Sequence, residues 1–180
     1  MKRPAPSAPE PQEAGNLYAA TRVETVIDVP PEDFFAWYLF EPIENFMLGT
    51  LIVPPITSTE ALAGPAWGEP GSSRTIYFKD GTTSLERILE TDLPRSYRYQ
   101  PWAYTSPVRL LSDYAVASMR VEPDGVKSRI IWDYSFHARN FLAKPLLQLF
   151  VTLDWRRNLT NGLQVIKKHL ETQGLSKRIR

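Results

Sequence analysis

The middle of the chain, residues 72–136, alternates between short β-rich runs and turn signals, and this pattern limits the fold more than any other feature. Asp80-Gly81, Asp92-Leu93-Pro94 and Asp124-Gly125 are typical turn sequences. The predicted strands between and around them are 74–79, 84–91, 96–100, 111–121 and 128–136. Successive strands that lie this close in sequence usually pair with one another, so the segment predicts an antiparallel meander.

The last predicted strand has the clearest alternation. Ile130, Trp132, Tyr134 and Phe136 share one face, whereas polar residues such as Asp133 mostly occupy the other. Since three of the four residues on the first face are aromatic, we expect that face to point inward.

A long amphipathic helix is predicted at 144–172, after the meander. At about 1.5 Å per residue it would be on the order of 40 Å long, enough to cross a sheet. Gly162 inside it permits a bend or a close backbone contact, and Gly174 offers a stop. The apolar stripe expected to face the sheet consists of Leu149, Leu153, Leu159, Leu163, Ile166 and Leu170.

The region before the meander adds one strand and two short helices. Residues 21–29 alternate like a half-buried strand, and helices are predicted at 32–39 and 43–48. Residues 51–71 contain four prolines and few periodic signals. They are expected to form an irregular connection with a short strand near Ile56.

Three parts of unequal size are predicted along the chain. Residues 1–19 form a Pro-rich leader that is expected to be disordered, because it lacks the apolar residues that would offset its ordering entropy. Removing it is expected to leave folding unchanged. Residues 20–174 form the folded domain, and 175–180 form a basic tail.

Composition argues against several classes of function. Lys and Arg number 21 against 20 Asp and Glu, so no global positive field favours nucleic acid. The absence of cysteine fits a reducing compartment, and cytoplasmic location is the expectation. Without cysteine or paired histidines no metal site is expected, and no cofactor is expected either. No apolar run is long enough for stable membrane insertion.

The order of elements resembles the START-related, Bet v 1-like (SRPBCC) superfamily, and within it the bacterial polyketide cyclase/dehydrase and lipid-transport group. The resemblance implies an α+β helix-grip fold, in which a curved antiparallel β-sheet wraps around a long C-terminal α-helix and encloses a cavity for a hydrophobic molecule. The residues that carry it are Pro30-Pro31-Glu32-Asp33-Phe34-Phe35, Gly71 with Arg74, Leu85-Glu86-Arg87-Ile88, and Val121-Glu122-Pro123-Asp124-Gly125 with Ile130-Ile131-Trp132.

Aromatic side chains form the strongest local signal for a binding site. Tyrosine and tryptophan combine a broad apolar face with a polar group, which suits an apolar ligand that carries a few oxygens. Ordinary core packing is the competing interpretation of each one. The candidate ligand-binding residues are Tyr77, Tyr97, Tyr99, Trp102, Met119, Trp132, Tyr134, Phe136, Phe150 and Trp155.

Charged residues within the strands supply the candidates for chemistry. Glu86 is the best candidate for a catalytic carboxylate, and Arg74, Arg98 and Arg120 could also point inward. The alternative is ordinary cross-strand ion pairing on the wet outer face, because strand register cannot be assigned from one sequence.

Three functions remain open at this stage. The first is binding or transport of a hydrophobic small molecule such as a lipid, a quinone or a polyketide-like aromatic, by a monomer or homodimer. The second is a cyclase or dehydratase that uses Glu86 with a tyrosine, and the third is an adaptor with a filled interior. Arg156 and Arg157, beside Trp155, are most simply a solvated edge, but leave room for transient contact with an anionic membrane.

Overall fold

The computed structural model describes residues 6–11 and 15–178, with side chains up to residue 172. One seven-stranded sheet has the order β1-β7-β6-β5-β4-β3-β2, and every neighbouring pair is antiparallel. The strands are β1 (Tyr18–Ile27), β2 (Ile56–Ala61), β3 (Ser73–Phe78), β4 (Thr83–Asp92), β5 (Ser96–Trp102), β6 (Ser112–Asp124) and β7 (Lys127–Ala138).

The predicted meander is confirmed, and the first strand pairs with the last. Tyr134 of β7 lies opposite Thr21 of β1, with Trp132 opposite Val23. Strand β2 occupies the edge near Ile56, where a short strand was expected. The inward face of β7 is also confirmed, because its aromatic residues are almost completely buried.

The turn between β3 and β4 shows how the sequence ends these strands. Gly81 adopts φ +82°, a left-handed conformation that side chains rarely adopt. Asp80 Oδ1 accepts hydrogen bonds from the Thr82 backbone nitrogen at 3.0 Å and from Thr82 Oγ1 at 2.7 Å. The Asp-Gly pair therefore supplies both the permissive backbone and the side-chain acceptor that the turn needs.

The helical elements differ from the expectation mainly at the C-terminus. Helix α1 spans Pro31–Tyr38, and a single 3₁₀ turn at Ile43–Asn45 replaces the second predicted helix. The long C-terminal helix starts with α2 (Ala143–Phe150), passes through a π-helical turn (Val151–Trp155) and ends with α3 (Arg156–Arg178). Its backbone continues past Gly174 to Arg178, so the predicted helix stop at Gly174 is wrong.

The π-helical turn changes which residues face the sheet. Leu159, Leu163, Ile166 and Leu170 are buried as predicted. Leu149 and Leu153 belong to the same predicted stripe, yet both are mostly exposed; Leu147 and Val151 are buried instead. A π turn contains more residues per turn than an α-helix, so a stripe extrapolated through it at constant period goes out of phase.

Gly162 allows the close contact that its position suggested. A Cβ atom on this residue would lie 3.2 Å from Met47 Sδ and 3.4 Å from the Phe46 carbonyl oxygen. Helix α3 can therefore approach the segment after the 3₁₀ turn more closely than a helix with a side chain at this position.

The described part of the leader lies against the outer face of the sheet. The Pro9 carbonyl accepts hydrogen bonds from Gln100 Nε2 at 2.9 Å and from Arg87 Nη2 at 3.3 Å. The Pro6 carbonyl accepts one from Trp102 Nε1 at 3.2 Å. Disorder was expected here, but three backbone contacts hold this stretch. Strand β1 begins at Tyr18, two residues before the predicted domain boundary.

The phase change in the helix gives a paired test. Leu159→Asp is expected to unfold the domain, because burying an unpaired carboxylate costs several kcal/mol against a total stability of about 5–15 kcal/mol. Leu153→Asp introduces the same charge where the side chain is exposed, and is expected to fold. Thermal melts followed by circular dichroism check both. A folded Leu159→Asp variant, or an unfolded Leu153→Asp variant, would contradict the assigned faces.

The leader contacts give a second test. Deleting residues 1–11 removes three hydrogen bonds to the sheet, made by two carbonyl acceptors, and is expected to lower the free energy of unfolding by about 1–3 kcal/mol. Urea denaturation of the full and shortened chains measures the difference. Equal stability would mean that the contacts contribute nothing and would restore the original expectation of a dispensable leader.

Candidate functional site

A cavity of about 460 Å³ lies between the inner face of the sheet and the first half of the C-terminal helix. Strands β3, β4, β5 and β7 form one wall, and residues 146–158 form another. The 3₁₀ turn, the loop that follows it, and the segment after β5 complete the enclosure. The space is mostly lined by apolar and aromatic side chains.

Six of the ten candidate ligand-binding residues line this cavity. They come from β5, from β7 and from the helical region around the π turn. These six are Tyr99, Trp132, Tyr134, Phe136, Phe150 and Trp155.

The other four candidates lie outside the cavity wall. Tyr77 points away from the interior on β3, and its hydroxyl donates to Glu60 Oε2 at 2.7 Å. Trp102 lies on the outer face in a cluster with Leu85 and Tyr114. Tyr97 and Met119 point inward, but both are buried in the core away from the cavity. In β5, Trp102 has the opposite parity to Tyr97 and Tyr99, so alternation alone places it on the outer face.

Several cavity residues were not among the sequence candidates. Ile43 and Met47 come from the 3₁₀-turn region, and Leu146 comes from α2. Ser84 lines the cavity from β4. Apolar residues in short irregular segments carry no periodic signal, and an inward serine contradicts the usual polar-out pattern. Alternation along β3 does place Ile76 and Phe78 on one face, and this pattern could have predicted that β3 lines the cavity.

Two tyrosine hydroxyls in the cavity wall are already engaged. Trp132 Nε1 donates to the Tyr99 hydroxyl oxygen at 2.8 Å, and the Tyr104 hydroxyl donates to the Pro101 carbonyl at 3.2 Å. The Tyr134 hydroxyl has no hydrogen-bond partner among the described residues. Burial raises the pKa of all three phenols well above their usual range. They are therefore neutral hydroxyls at ordinary pH.

Glu86 lies in the cavity wall, paired with Arg74 on the neighbouring strand. Its Oε1 accepts hydrogen bonds from Arg74 Nη2 at 2.7 Å and Nε at 3.1 Å. The side chains are 4% and 12% exposed, so water screens this pair little. The Arg74 guanidinium also lies 3.7 Å above the Trp67 ring centroid. The cross-strand pairing interpretation was right, but the face was wrong, because the pair is on the inner side.

The two other candidate arginines lie on the outer face. Arg98 Nη1 is 2.7 Å from Glu90 Oε1, and Arg120 Nη2 is 3.2 Å from Asp133 Oδ2. Both pairs are partly exposed, so they are surface ion pairs of modest strength. Neither arginine reaches the cavity.

Asp154 connects the π-helical turn to the loop before β2. Its Oδ2 accepts hydrogen bonds from Thr50 Oγ1 at 2.5 Å and from the Val53 backbone nitrogen at 3.2 Å. The side chain is buried although it comes from a helix edge. Asp154 therefore holds one wall of the cavity against another.

Neither a cluster of metal ligands nor a membrane-spanning helix is found within residues 6–11 and 15–178. No group of three or more His, Asp or Glu side chains there could hold a metal ion. Within the same ranges, no helix combines the length and apolar character needed to cross a bilayer.

Comparison with known families supports the architecture. The family described as "Polyketide cyclase / dehydrase and lipid transport" matches residues 18–171. The chain belongs to this family. The match covers every strand and most of the C-terminal helix, so all walls of the cavity belong to the family domain. None of the curated proteins is significantly similar to the chain in sequence.

Solved structures share the helix-grip fold at low sequence identity. Ara h 8.0201 is 21% identical with a TM-score of 0.61, covering 88% of this chain and 99% of its own. Major latex-like protein 151 of Panax ginseng is 18% identical with a TM-score of 0.64, covering 86% and 99%. A protein of Nitrosospira multiformis is 14% identical with a TM-score of 0.60, covering 86% and 98%. These similarities confirm the fold.

The buried ion pair gives a test of how the cavity wall is held. Glu86→Leu leaves Arg74 without its carboxylate and is expected to lower the free energy of unfolding by about 3–5 kcal/mol. The double variant R74M/E86L removes both charges and is expected to lose less than Glu86→Leu alone. Urea denaturation of the single and double variants measures the coupling.

The exposed Arg98–Glu90 pair is the matched control. Glu90→Leu is expected to change stability far less than Glu86→Leu, because water solvates the arginine that is left behind. Two results would contradict a buried pair at Glu86. One is an equal loss of stability in Glu86→Leu and Glu90→Leu, and the other is an R74M/E86L variant less stable than Glu86→Leu.

Proposed function

We propose that this protein binds a hydrophobic small molecule in its internal cavity and carries it. The observation that supports this most directly is the 460 Å³ space, since well-packed interiors leave few voids larger than a water molecule. Ligand pockets span about 300–1,000 Å³, and this cavity lies within that range. An adaptor with a filled interior is less compatible with such a space.

The polar groups of the wall suggest the chemical class of the ligand. Tyr134 of β7 offers a neutral hydroxyl that no described residue engages, and Ser84 of β4 offers a second hydroxyl from the same sheet wall. Glu86 Oε2 has no hydrogen-bond partner in the described structure. We therefore infer a mainly apolar ligand with one or a few oxygen or hydroxyl groups, such as a lipid, a quinone or a polyketide-like aromatic.

An acid–base enzyme is the second candidate, and the wall supports it less well. A general acid or base works best when its pKa lies near the operating pH. Burial raises the pKa of Tyr99, Tyr104 and Tyr134 away from that range. The Glu86 carboxylate is engaged by Arg74 through one oxygen, so that oxygen is occupied by a structural ion pair. Binding requires none of these groups to change protonation.

A cavity-filling variant tests the proposal. Ser84→Phe places a ring in the space and is expected to weaken saturable binding of an environment-sensitive apolar dye by roughly tenfold or more, while the protein stays folded. Ser118→Phe on the outward face of β6 is the control and is expected to bind normally. Fluorescence titration measures affinity, and thermal melts on the same samples measure folding.

The outcome that would overturn the proposal is equally direct. Unchanged dye affinity in a folded Ser84→Phe variant would place the dye elsewhere, and no saturable binding to the wild type by several apolar probes would remove the binding function. Mass spectrometry of organic extracts from the purified protein then identifies any copurifying ligand. A copurifying substance that the protein converts to a product would favour the enzyme.

A further inference from the structure

The mouth of the cavity can be located from residues that both line it and face solvent. Ile52, Leu146, Leu149 and Leu153 meet both conditions, each more than half exposed. Exposed Leu51, Leu110 and Leu142 extend the same surface from the adjoining segments. We call these seven residues the apolar rim. Isolated exposed leucines are ordinary, but seven around one opening form a patch of the kind that marks an interaction surface.

A tight turn holds two rim residues out into solvent. The Thr50 backbone nitrogen donates to the Val53 carbonyl at 2.7 Å, and Val53 nitrogen donates to Thr50 Oγ1 at 3.0 Å. Asp154 fixes both ends of this turn through the bonds described above. Leu51 and Ile52 lie at its tip, 96% and 65% exposed. Their exposure is therefore built into a hydrogen-bonded turn.

Basic residues accompany the rim although the whole chain is nearly neutral. Residues 48–54, 105–111 and 139–157 contain five arginines and lysines, and their one acidic residue is the buried Asp154. Arg139 pairs with Asp113 at 2.8 Å. No ion pair with a described residue engages the other four cations. These four are Arg109, Lys144, Arg156 and Arg157.

The rim combines apolar side chains with four cations that outnumber Asp80, the exposed carboxylate of the cavity lining. This combination matches the surface of an anionic bilayer. Apolar groups enter the boundary between headgroups and acyl chains, while cations remain at the level of the phosphates. A second copy of the chain fits less well. A two-fold dimer through the rim would bring the same cations of both copies together.

We propose that the apolar rim docks the cavity mouth onto an anionic lipid membrane. The ligand would then pass between bilayer and cavity without crossing water. This step rests on the proposed function, but docking itself does not require an occupied cavity. Its failure can therefore be distinguished from failure of ligand binding.

The experiment is cosedimentation of the full chain with lipid vesicles. Wild-type protein is expected to bind vesicles of phosphatidylcholine mixed with phosphatidylserine, to bind pure phosphatidylcholine more weakly, and to lose affinity as salt is added. The variant L51S/I52S is expected to bind mixed vesicles roughly tenfold more weakly. R156E/R157E is expected to show a similar loss. R156E/R157E changes no residue that lines the cavity and should keep the wild-type dye affinity, which tests the cavity separately.

Matched controls change similar residues away from the rim. Val126→Ser alters an exposed apolar residue in the β6–β7 turn, and K127E/R129E reverses two exposed cations on β7. Both controls are expected to bind like the wild type. Absence of wild-type binding to mixed vesicles, or equal binding by L51S/I52S, would overturn the proposal. A wild-type dimer that L51S/I52S dissociates, with no vesicle binding, would assign the rim to self-association.

Discussion

The packing of α3 against β1 is the constraint on which the rest of the structure depends. In the second half of the C-terminal helix, the side chains of Leu159, Leu163 and Ile166 are fully buried. Gly162 brings the helix backbone close to Met47. A straight helix cannot follow a twisted sheet along its whole length. Tight contact in the second half therefore leaves the first half separated from β3, β4 and β5, and the cavity occupies that gap. The space for a ligand therefore follows from how the helix packs on the sheet.

Two of the polar side chains inside this gap are held by partners from the protein itself. Arg74 neutralises Glu86 across a strand pair, and Trp132 engages the hydroxyl of Tyr99. Buried charges and donors are costly unless they are paired, so these bonds allow polar residues to line an apolar space. Among the described residues, the Tyr134 hydroxyl, Trp155 Nε1 and Asn158 Oδ1 line the cavity without a hydrogen-bond partner, so they stay available to a ligand.

The sequence predicts the strands and the buried end of the helix because both follow regular periods. Prediction fails where a tertiary feature interrupts a period. The π-helical turn shifts Leu149 and Leu153 out of the buried stripe. No local residue type in the sequence predicts such a turn. In β4, the apolar Leu85 points outward and Glu86 inward, the reverse of the usual rule. That inversion depends on Arg74 inside and on outer-face neighbours that include Ala8, which are contacts distant in sequence.

One irregularity in the helix shapes both a wall of the cavity and its mouth. The π-helical turn places Asp154 where it can hold the Thr50–Val53 turn, while Leu153, one residue earlier, faces solvent. In a continuous α-helix the apolar stripe would keep its phase through these residues. The shift converts two expected core residues into part of the mouth. π turns are often found at functional sites. We therefore expect natural selection on ligand binding to act most directly at this position.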